Sequence, residues 1–210
     1  MPTRAERRMT SLALAHDCAV LGGRARTIHH VSGLSVREAQ HLFFADPASA
    51  PRGRAPDSPE WYHGANLLHR AEASIIVAVY RRLRSMGFGS AEALVGAYRH
   101  YQFFCRSPYR ISFDRAFDLA AHTDGIWVAT EPSFAVVACI LCDSEHVAPF
   151  GARSLPSGSE CPFCRLIQRH DVDPRIRGCF QTPSLDDSDA LTKHLRAIGC
   201  PRCLDDSAIS

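Results

Sequence analysis

Lysine is almost absent from this 210-residue chain: of its 24 basic residues, only Lys193 is a lysine. Arginine offers two parallel donors that match phosphate and guanine, so this usage suits a protein that binds nucleic acid. The base composition of a genome can produce the same bias. The scarcity of lysine therefore leaves both explanations open.

The chain also lacks a long apolar run, and no stretch approaches the length of a membrane span. The segment RAERRMTSLALA begins like a secretion signal, but His16, Asp17 and Arg24 interrupt a run that is too short for the hydrophobic part of a signal. We therefore expect a cytoplasmic protein that does not associate with membranes.

Catalytic patterns are missing as well. The 11 histidines are scattered, and none belongs to an H-E-x-x-H, Ser-His-Asp or paired-carboxylate pattern. The chain has no Gly-rich loop that would cradle a phosphate. The expectation is that the protein is not an enzyme.

One strong pattern is present, a C-x2-C-x18-C-x2-C array formed by Cys139, Cys142, Cys161 and Cys164. In each pair, two thiolates can converge on one ion while the backbone amides between them point at the sulfurs. Two pairs complete a closed tetrahedral site for Zn²⁺. Because the protein supplies all four ligands, no position remains for water or substrate, and the predicted ion is structural. The spacer is rich in proline, glycine and serine, which indicates a loop joining two arms in a zinc-ribbon-like layout.

Two other chemistries use cysteines at similar spacing. Disulfides suit a secreted chain, which the missing signal argues against. The run Cys161-Pro162-Phe163-Cys164 has the form of a dithiol oxidoreductase motif, whose nucleophile needs a strand before it and a helix N-terminus beneath it. A serine-rich loop precedes this run, and a second pair lies at the distance that zinc requires. Zinc is therefore the favoured prediction.

The tail contains three further cysteines, Cys179, Cys200 and Cys203, the last two in a third C-x2-C pair. Together with His170 or His194 they could form a second zinc site. No spacing rule supports that site, and free thiols are the alternative.

Helical periodicity fills the front half of the chain. It predicts a first helix over residues 10–29, and the core-facing stripe of that helix is formed by Leu14, Cys18, Leu21, Ala25 and Ile28. After a turn at Gly33, Ser35 and Glu38 form a capping box that begins a second helix. This is helix-turn-helix spacing with Arg37 on the first exposed turn, and it fits either a DNA-reading motif or a scaffolding hairpin.

Three more helices are predicted before residue 125. A proline-rich connector ends at Ser58, which caps a long helix to about residue 84 that we expect to be the central core helix. Ser90 caps the next helix. A further helix begins at Ser112 and stops at Gly125.

After Gly125, β-branched and apolar residues replace the helical periodicity. Residues 126–130 and 134–141 are predicted to form strands that lead into the first cysteine pair. The predicted fold class is mainly α, with a helical N-terminal domain over residues 1–125. A small zinc-ribbon-like domain with short β-strands covers residues 126–170, and residues 171–210 form a C-terminal extension.

Charge is divided unevenly along the chain. Residues 1–110 contain 15 arginines and 8 acidic residues, whereas residues 111–210 contain 9 basic and 14 acidic residues. A basic front half is compatible with phosphate contacts. Arginines of the connector and of the central helix are the candidates for such contacts, namely Arg52, Arg54, Arg81 and Arg84.

Several short strings occur in a definite order: LGGR at 21–24, GLS at 33–35, PRGRAPDSPEWY at 51–62, AYRHY at 97–101, RAF at 115–117, and then the two cysteine pairs. In order and spacing they resemble the FlhC family, the zinc-binding subunit of the bacterial flagellar master transcriptional regulator. The resemblance covers about residues 12–165.

This resemblance implies a mostly helical subunit that binds zinc through Cys139, Cys142, Cys161 and Cys164. It further implies assembly with an FlhD-like subunit, binding to promoter DNA, and activation of flagellar operons together with RNA polymerase. The chain departs from the family pattern at Asp143, in a longer segment over residues 131–138, and in a longer tail after residue 165. A divergent paralogue is therefore an alternative, and so is a zinc-stabilised protein-interaction module without DNA contacts.

Overall fold

The fold is given by a computed structural model that describes residues 3–46, 50–51, 58, 60–105, 107–149 and 161–178. The chain divides into two compact units, Met1–Gln168 and Arg169–Ser210. Residues 169–178 are the described part of the second unit. Arg52, Arg54, Cys179, Cys200 and Cys203 lie outside the described residues, as does His194.

The first three helices are α1 (Arg4–Val20), α2 (Ala25–Ser32) and α3 (Val36–Phe43). The prediction of one continuous helix over residues 10–29 is wrong, because Gly22 turns the chain with a φ of 85°. Gly23 then lies so close to Phe113 that an added Cβ would be 2.9 Å from the ring. A glycine pair here allows α1 and α2 to meet at an angle over a packed aromatic residue.

The predicted stripe nevertheless faces the core. Cys18 and Ile28 are fully buried, and Leu14, Leu21 and Ala25 pack against the same apolar cluster. The capping box at the start of α3 is confirmed: the Ser35 hydroxyl accepts a hydrogen bond from the Glu38 amide, and the Glu38 carboxylate accepts one from the Ser35 amide. Local hydrogen bonding thus sets the point where α3 begins.

The long helix predicted from Ser58 is interrupted. It consists of α4 (Glu60–His63) and α5 (Leu67–Ser85), separated at Gly64–Asn66. The Ser58 hydroxyl does accept a hydrogen bond from the Glu60 amide at 3.1 Å. The Asn66 side chain then caps α5 by accepting from the His69 amide. A second N-cap at Asn66, eight residues after Ser58, therefore divides the helix.

Two further helices follow, α6 (Ser90–Phe104) and α7 (Phe113–Asp124). Gly89 occupies the N-cap of α6, one residue before the predicted cap. Ser112 caps α7 and Gly125 ends it, as predicted, and the structure adds that Gly125 is in the left-handed conformation. Helix α5 contacts α6, α7 and the second strand, so the expectation of a central core helix is confirmed for α5.

The strands are β1 (Phe134–Ala138) and β2 (Glu145–Pro149), which pair antiparallel with Ala138 opposite Glu145. The strand predicted over residues 126–130 is wrong: this segment is a turn in which Trp127 has a φ of 58° and stacks on Phe117. The interpretation of the cysteine spacer as a loop is also incomplete, because its first residues form β2. Residues 145–149 form a strand because they pair with β1, and the composition of the spacer gives no sign of that pairing.

The hairpin belongs to the helical core. Phe134 and Val147 are buried in the same apolar cluster as the α5 and α7 side chains. The Tyr62 hydroxyl donates to the Val147 carbonyl at 2.9 Å, and the Val147 amide donates to the Ser74 hydroxyl at 3.2 Å. The predicted domain boundary at residue 125 therefore does not coincide with the division at Gln168.

The last described helices are α8 (Pro162–His170) and α9 (Pro174–Arg177). The predicted fold class, mainly α with a small zinc-ribbon-like part that carries short strands, is confirmed. Among the described residues, none of the helices combines the length and the apolar character needed to cross a membrane.

Candidate metal centre

The first cysteine pair occupies the turn between β1 and β2. Cys139 directly follows β1, and its amide donates to the Ser144 carbonyl at 3.1 Å, which closes the turn. Asp143 has a φ of 57° and donates its amide to the Cys139 carbonyl. The Leu141 amide points at the Cys139 Sγ at 3.4 Å. A backbone amide directed at sulfur is what the C-x2-C spacing predicts for a metal-binding turn.

The second pair lies at the start of α8. Cys161 immediately precedes the helix and Cys164 is on its first turn. The Arg165 amide donates to the Cys161 carbonyl at 3.1 Å, so the helical hydrogen bonds begin at Cys161. The two pairs therefore differ, because one is held by a hairpin turn and the other by a helix N-terminus.

All four predicted ligands come together. Their sulfur atoms lie within 4.8 Å of one another, with 3.7 Å between the sulfurs of Cys139 and Cys164 and 3.8 Å between those of Cys142 and Cys161. Four thiolates at about 2.3 Å from a tetrahedral ion would be about 3.8 Å apart, whereas disulfide sulfurs lie about 2.05 Å apart. The residues thus fit a metal ion, and the six described cysteines are free of disulfides.

Burial and hydrogen bonding set the protonation of these thiols. Cys142 is exposed, and hydrogen bonds from Ser144 lower its thiol pKa to about 6. Sharing a proton with Cys142 raises the pKa of Cys164 to about 12, and burial raises the pKa of Cys161. Near neutral pH, the thiols therefore favour a partly protonated cluster. A bound cation would draw off the remaining protons, which is the usual coupling between metal binding and thiol ionisation.

The dithiol alternative was disfavoured in the sequence because a serine-rich loop precedes the second pair and because another C-x2-C pair lies at the distance that zinc requires. The residues directly before Cys161 lie outside the described part of the chain, and α8, which begins at Pro162, does supply the helix N-terminus that a dithiol motif needs. The convergence of all four sulfurs still favours a metal site, because a dithiol nucleophile needs only two of them. His170, which was named as a possible ligand of a second zinc site, has its Nδ1 atom 3.0 Å from Asp171 Oδ1.

The candidate DNA-binding arginines have different surroundings. Arg37 is exposed on α3, as predicted. Arg81 lies 3.1 Å from the Glu145 carboxylate, and Arg84 lies 3.2 Å from the Asp124 carboxylate. These ion pairs offset part of the positive charge of both arginines. Arg81 and Arg84 are consequently less available to phosphate than an unpaired arginine would be.

Three arginines near the N-terminus were missed in the sequence. Arg4, Arg7 and Arg8 line a cleft of about 630 Å³ with Ser11 and Glu38. A second capping box, formed by Thr3 and Glu6, could have revealed them, because it makes α1 begin at Arg4, six residues earlier than predicted. Arg8 is 2.8 Å from Glu38, which links α1 to the capped end of α3.

A serine, a histidine and an aspartate also meet, although no sequence pattern joins them. Ser133 Oγ is 2.8 Å from His122 Nδ1, while His122 Nε2 is 3.6 Å from Asp118 Oδ1. The second distance exceeds a hydrogen bond, and the Trp61 indole donates to the Asp118 carboxylate at 2.6 Å. The Ser133 amide also donates to the His122 carbonyl. These contacts fasten the end of α7 to the segment before β1, and they do not form a proton relay.

No protein-family model matches this chain, and no curated protein matches it. The resemblance to FlhC therefore remains a prediction, and the site must be interpreted from its own geometry.

Proposed function

We propose that this chain is a DNA-binding transcription activator subunit of the FlhC type rather than an enzyme. The observation that carries the proposal is the arrangement of α2 and α3. The two helices contact each other across the Gly33 turn, where φ is 76°. Two short helices joined by a glycine-containing turn are the layout with which many regulators place a helix in the major groove.

The side chains of this unit separate into a packed side and an exposed side. Ile28, Leu34 and Ala39 are buried and hold α2, the turn and α3 together. Arg37, Gln40 and His41 are exposed on α3. Arginine pairs with guanine edges and glutamine with adenine edges, so the exposed side has the chemistry of direct base readout.

Helix α1 supplies positive charge beside α3, which it contacts. Within the described part of the chain, Arg4 and Arg7 have no carboxylate within ion-pair distance, whereas Arg8 pairs with Glu38. Arginines flanking a recognition helix are suited to contact phosphates and to fix the helix in the groove. We therefore assign phosphate contact first to Arg4 and Arg7, and only then to Arg81 and Arg84.

The metal in this proposal is a single structural Zn²⁺. Four thiolates select zinc, iron or copper(I) over hard ions, and a site closed by protein ligands has no place for substrate. The ion would join the hairpin turn to α8 and would take no part in chemistry. An FlhD-like subunit, flagellar promoters and RNA polymerase are the partners that the proposal includes.

The test is a salt titration of binding to a flagellar promoter fragment and to unrelated duplex DNA, with the chain co-expressed with an FlhD-like subunit. Arg37→Ala should weaken promoter binding by about 1–3 kcal/mol with little effect on unrelated DNA. Arg4→Ala and Arg7→Ala should weaken both DNAs and flatten the salt slope by about one unit each.

Arg177→Ala is the matched control, because Arg177 is exposed on α9 and has no carboxylate within ion-pair distance in the described part of the chain. It should leave both DNAs bound as before. Two outcomes would contradict the proposal: the complex does not bind DNA in a salt-dependent manner, or it does and none of these variants changes the affinity for DNA. In either case the chain is better described as a zinc-stabilised interaction module.

A further inference from the structure

A groove of about 700 Å³ runs along α5 and faces the first cysteine turn. One wall is a stripe of α5, and the other consists of Ser144 and Glu145 beside the turn and of Phe163 at the start of α8. The stripe extends from Ser74 to Ser85, which is three turns of helix or roughly 16 Å. This length would accommodate a short helix or an extended segment of a partner.

The floor of the groove is apolar and its rim is charged. Ile75, Ala78, Val79 and Phe163 are each only partly buried, so they leave apolar surface open. Arg82 is exposed on the rim without an ion-pair partner in the described residues, whereas Arg81 spans the groove to Glu145 at 3.1 Å. Both members of that ion pair are close to half exposed. An exposed pair of this kind contributes little stability and is easily exchanged for another partner.

We propose that this groove is a docking site for an acidic amphipathic segment of another protein. Apolar side chains of the segment would cover the floor, one carboxylate would pair with Arg82, and another would compete with Glu145 for Arg81. A phosphate backbone fits less well, because it has no apolar side for the floor and because Glu145 would repel it. The inference concerns a protein partner and does not depend on the proposed DNA contacts.

The groove is also coupled to the metal centre. Phe163 lies between Cys161 and Cys164 and packs against the cysteine cluster. Ser144 accepts the hydrogen bond that closes the turn of the first pair. One wall of the groove is therefore positioned by the residues that hold the ion, and a metal-loaded protein should be the competent binder.

The probe is a fluorescein-labelled, helix-forming peptide of about four turns with leucines at i, i+3, i+4 and i+7 and glutamates on the remaining positions. Fluorescence anisotropy is measured with the full, zinc-loaded chain. A second peptide has glutamine in place of every glutamate, and a third has lysine. The acidic peptide should bind at least about tenfold more tightly than the glutamine peptide, and the lysine peptide should bind least.

Arg82→Glu should weaken the acidic peptide by at least about tenfold and strengthen the lysine peptide. Ile75→Gln should weaken all three peptides, because it replaces part of the apolar floor with an uncharged polar side chain. Arg26→Glu is the matched control, since Arg26 is exposed on α2 and is not part of the groove. This control should leave every peptide affinity unchanged.

Equal binding of the acidic and glutamine peptides would overturn the proposal, as would equal behaviour of Arg82→Glu and Arg26→Glu. Loss of duplex DNA binding in Arg82→Glu, without peptide binding in the unmodified chain, would assign the groove to nucleic acid and also overturn the proposal. The proposed DNA-binding function is tested separately by promoter binding of Arg37→Ala, because Arg37 is not part of the groove. If Arg37→Ala binds the promoter as well as the unmodified chain does, that function fails while the docking proposal is unaffected. The two proposals can therefore fail separately.

Discussion

At the scale of single residues, the four cysteine thiols share a space too small for four negative charges. Three of the four are buried, and hydrogen bonds from Ser144 lower the pKa of the exposed Cys142 to about 6. Cys164, which shares its proton with Cys142, has its pKa raised to about 12. Like charges within 4.8 Å cannot all ionise unless a cation offsets them. The unequal pKa values are therefore a property of the site without metal, and a bound ion would replace them with four thiolates.

Cys142→Ser should abolish stoichiometric zinc binding, because a serine hydroxyl does not supply the soft anionic ligand that the site needs. Zinc per chain is measured by elemental analysis after gel filtration. Cys105→Ser is the control, since Cys105 is only partly buried and lies at the end of α6. Cys18 would be a poor control, because it is fully buried and a serine there would bury a hydroxyl. Full zinc occupancy in Cys142→Ser would remove Cys142 from the ligand set.

At the scale of elements, the sequence predicted best where a helix end depends on its own residues. The capping box at Ser35 and the α7 ends at Ser112 and Gly125 were predicted because their hydrogen bonds are local. The breaks between α1 and α2 and between α4 and α5 were missed. The first depends on the Phe113 ring, 90 residues away from Gly23, and the second on an Asn66 cap that competes with the cap at Ser58. Periodicity alone cannot predict either event, because it continues across both breaks.

Ser35→Ala should destabilise α3 by about 1 kcal/mol, because the Glu38 amide loses its side-chain acceptor. Chemical unfolding at neutral pH measures the difference. Ser85→Ala is the control, since Ser85 is an exposed helical residue whose hydroxyl donates to the Arg82 carbonyl and caps no helix start. An equal loss in both variants would mean that the capping box adds nothing beyond an ordinary helical serine.

The stability that the Glu38 carboxylate of this capping box contributes should depend on pH. Hydrogen bonds from Ser35, and to a smaller extent from Arg8, lower the Glu38 pKa from its ordinary value of 4.5 to about 2. A carboxyl whose pKa is lower in the folded state stabilises the fold above the unfolded pKa, and this stabilisation is lost as the pH falls through the folded pKa. The penalty of Glu38→Gln should thus be complete at pH 7, shrink below about pH 4.5, and vanish near pH 2.

At the scale of the whole molecule, the metal site and the hairpin that carries half of it belong to different packing clusters. Cys139, Cys161, Cys164 and Phe163 form a small cluster of their own, whereas both strands contribute to the helical core. The sequence predicted the four ligands because their spacing is local. It placed the hairpin in a separate domain because helical periodicity ends at Gly125 and β-branched and apolar residues follow. The helical partners of the hairpin are far away in the chain, at Tyr62 and Ser74.

Metal removal should therefore release only part of the molecule. With the ion chelated, amides of the cysteine turn and of α8 should lose hydrogen-exchange protection, since their cluster has no other source of comparable free energy. Amides of β1 and β2 should keep much of their hydrogen-exchange protection, because Phe134 and Val147 remain buried against the helices. Amide exchange followed by mass spectrometry, with and without a chelator, compares the segments. Cys142→Ser supplies a metal-free reference that contains no chelator. Simultaneous loss of protection in α5, α6 and α7 would show that the ion stabilises the whole of the first unit, and the division into two packing clusters would then have no energetic meaning.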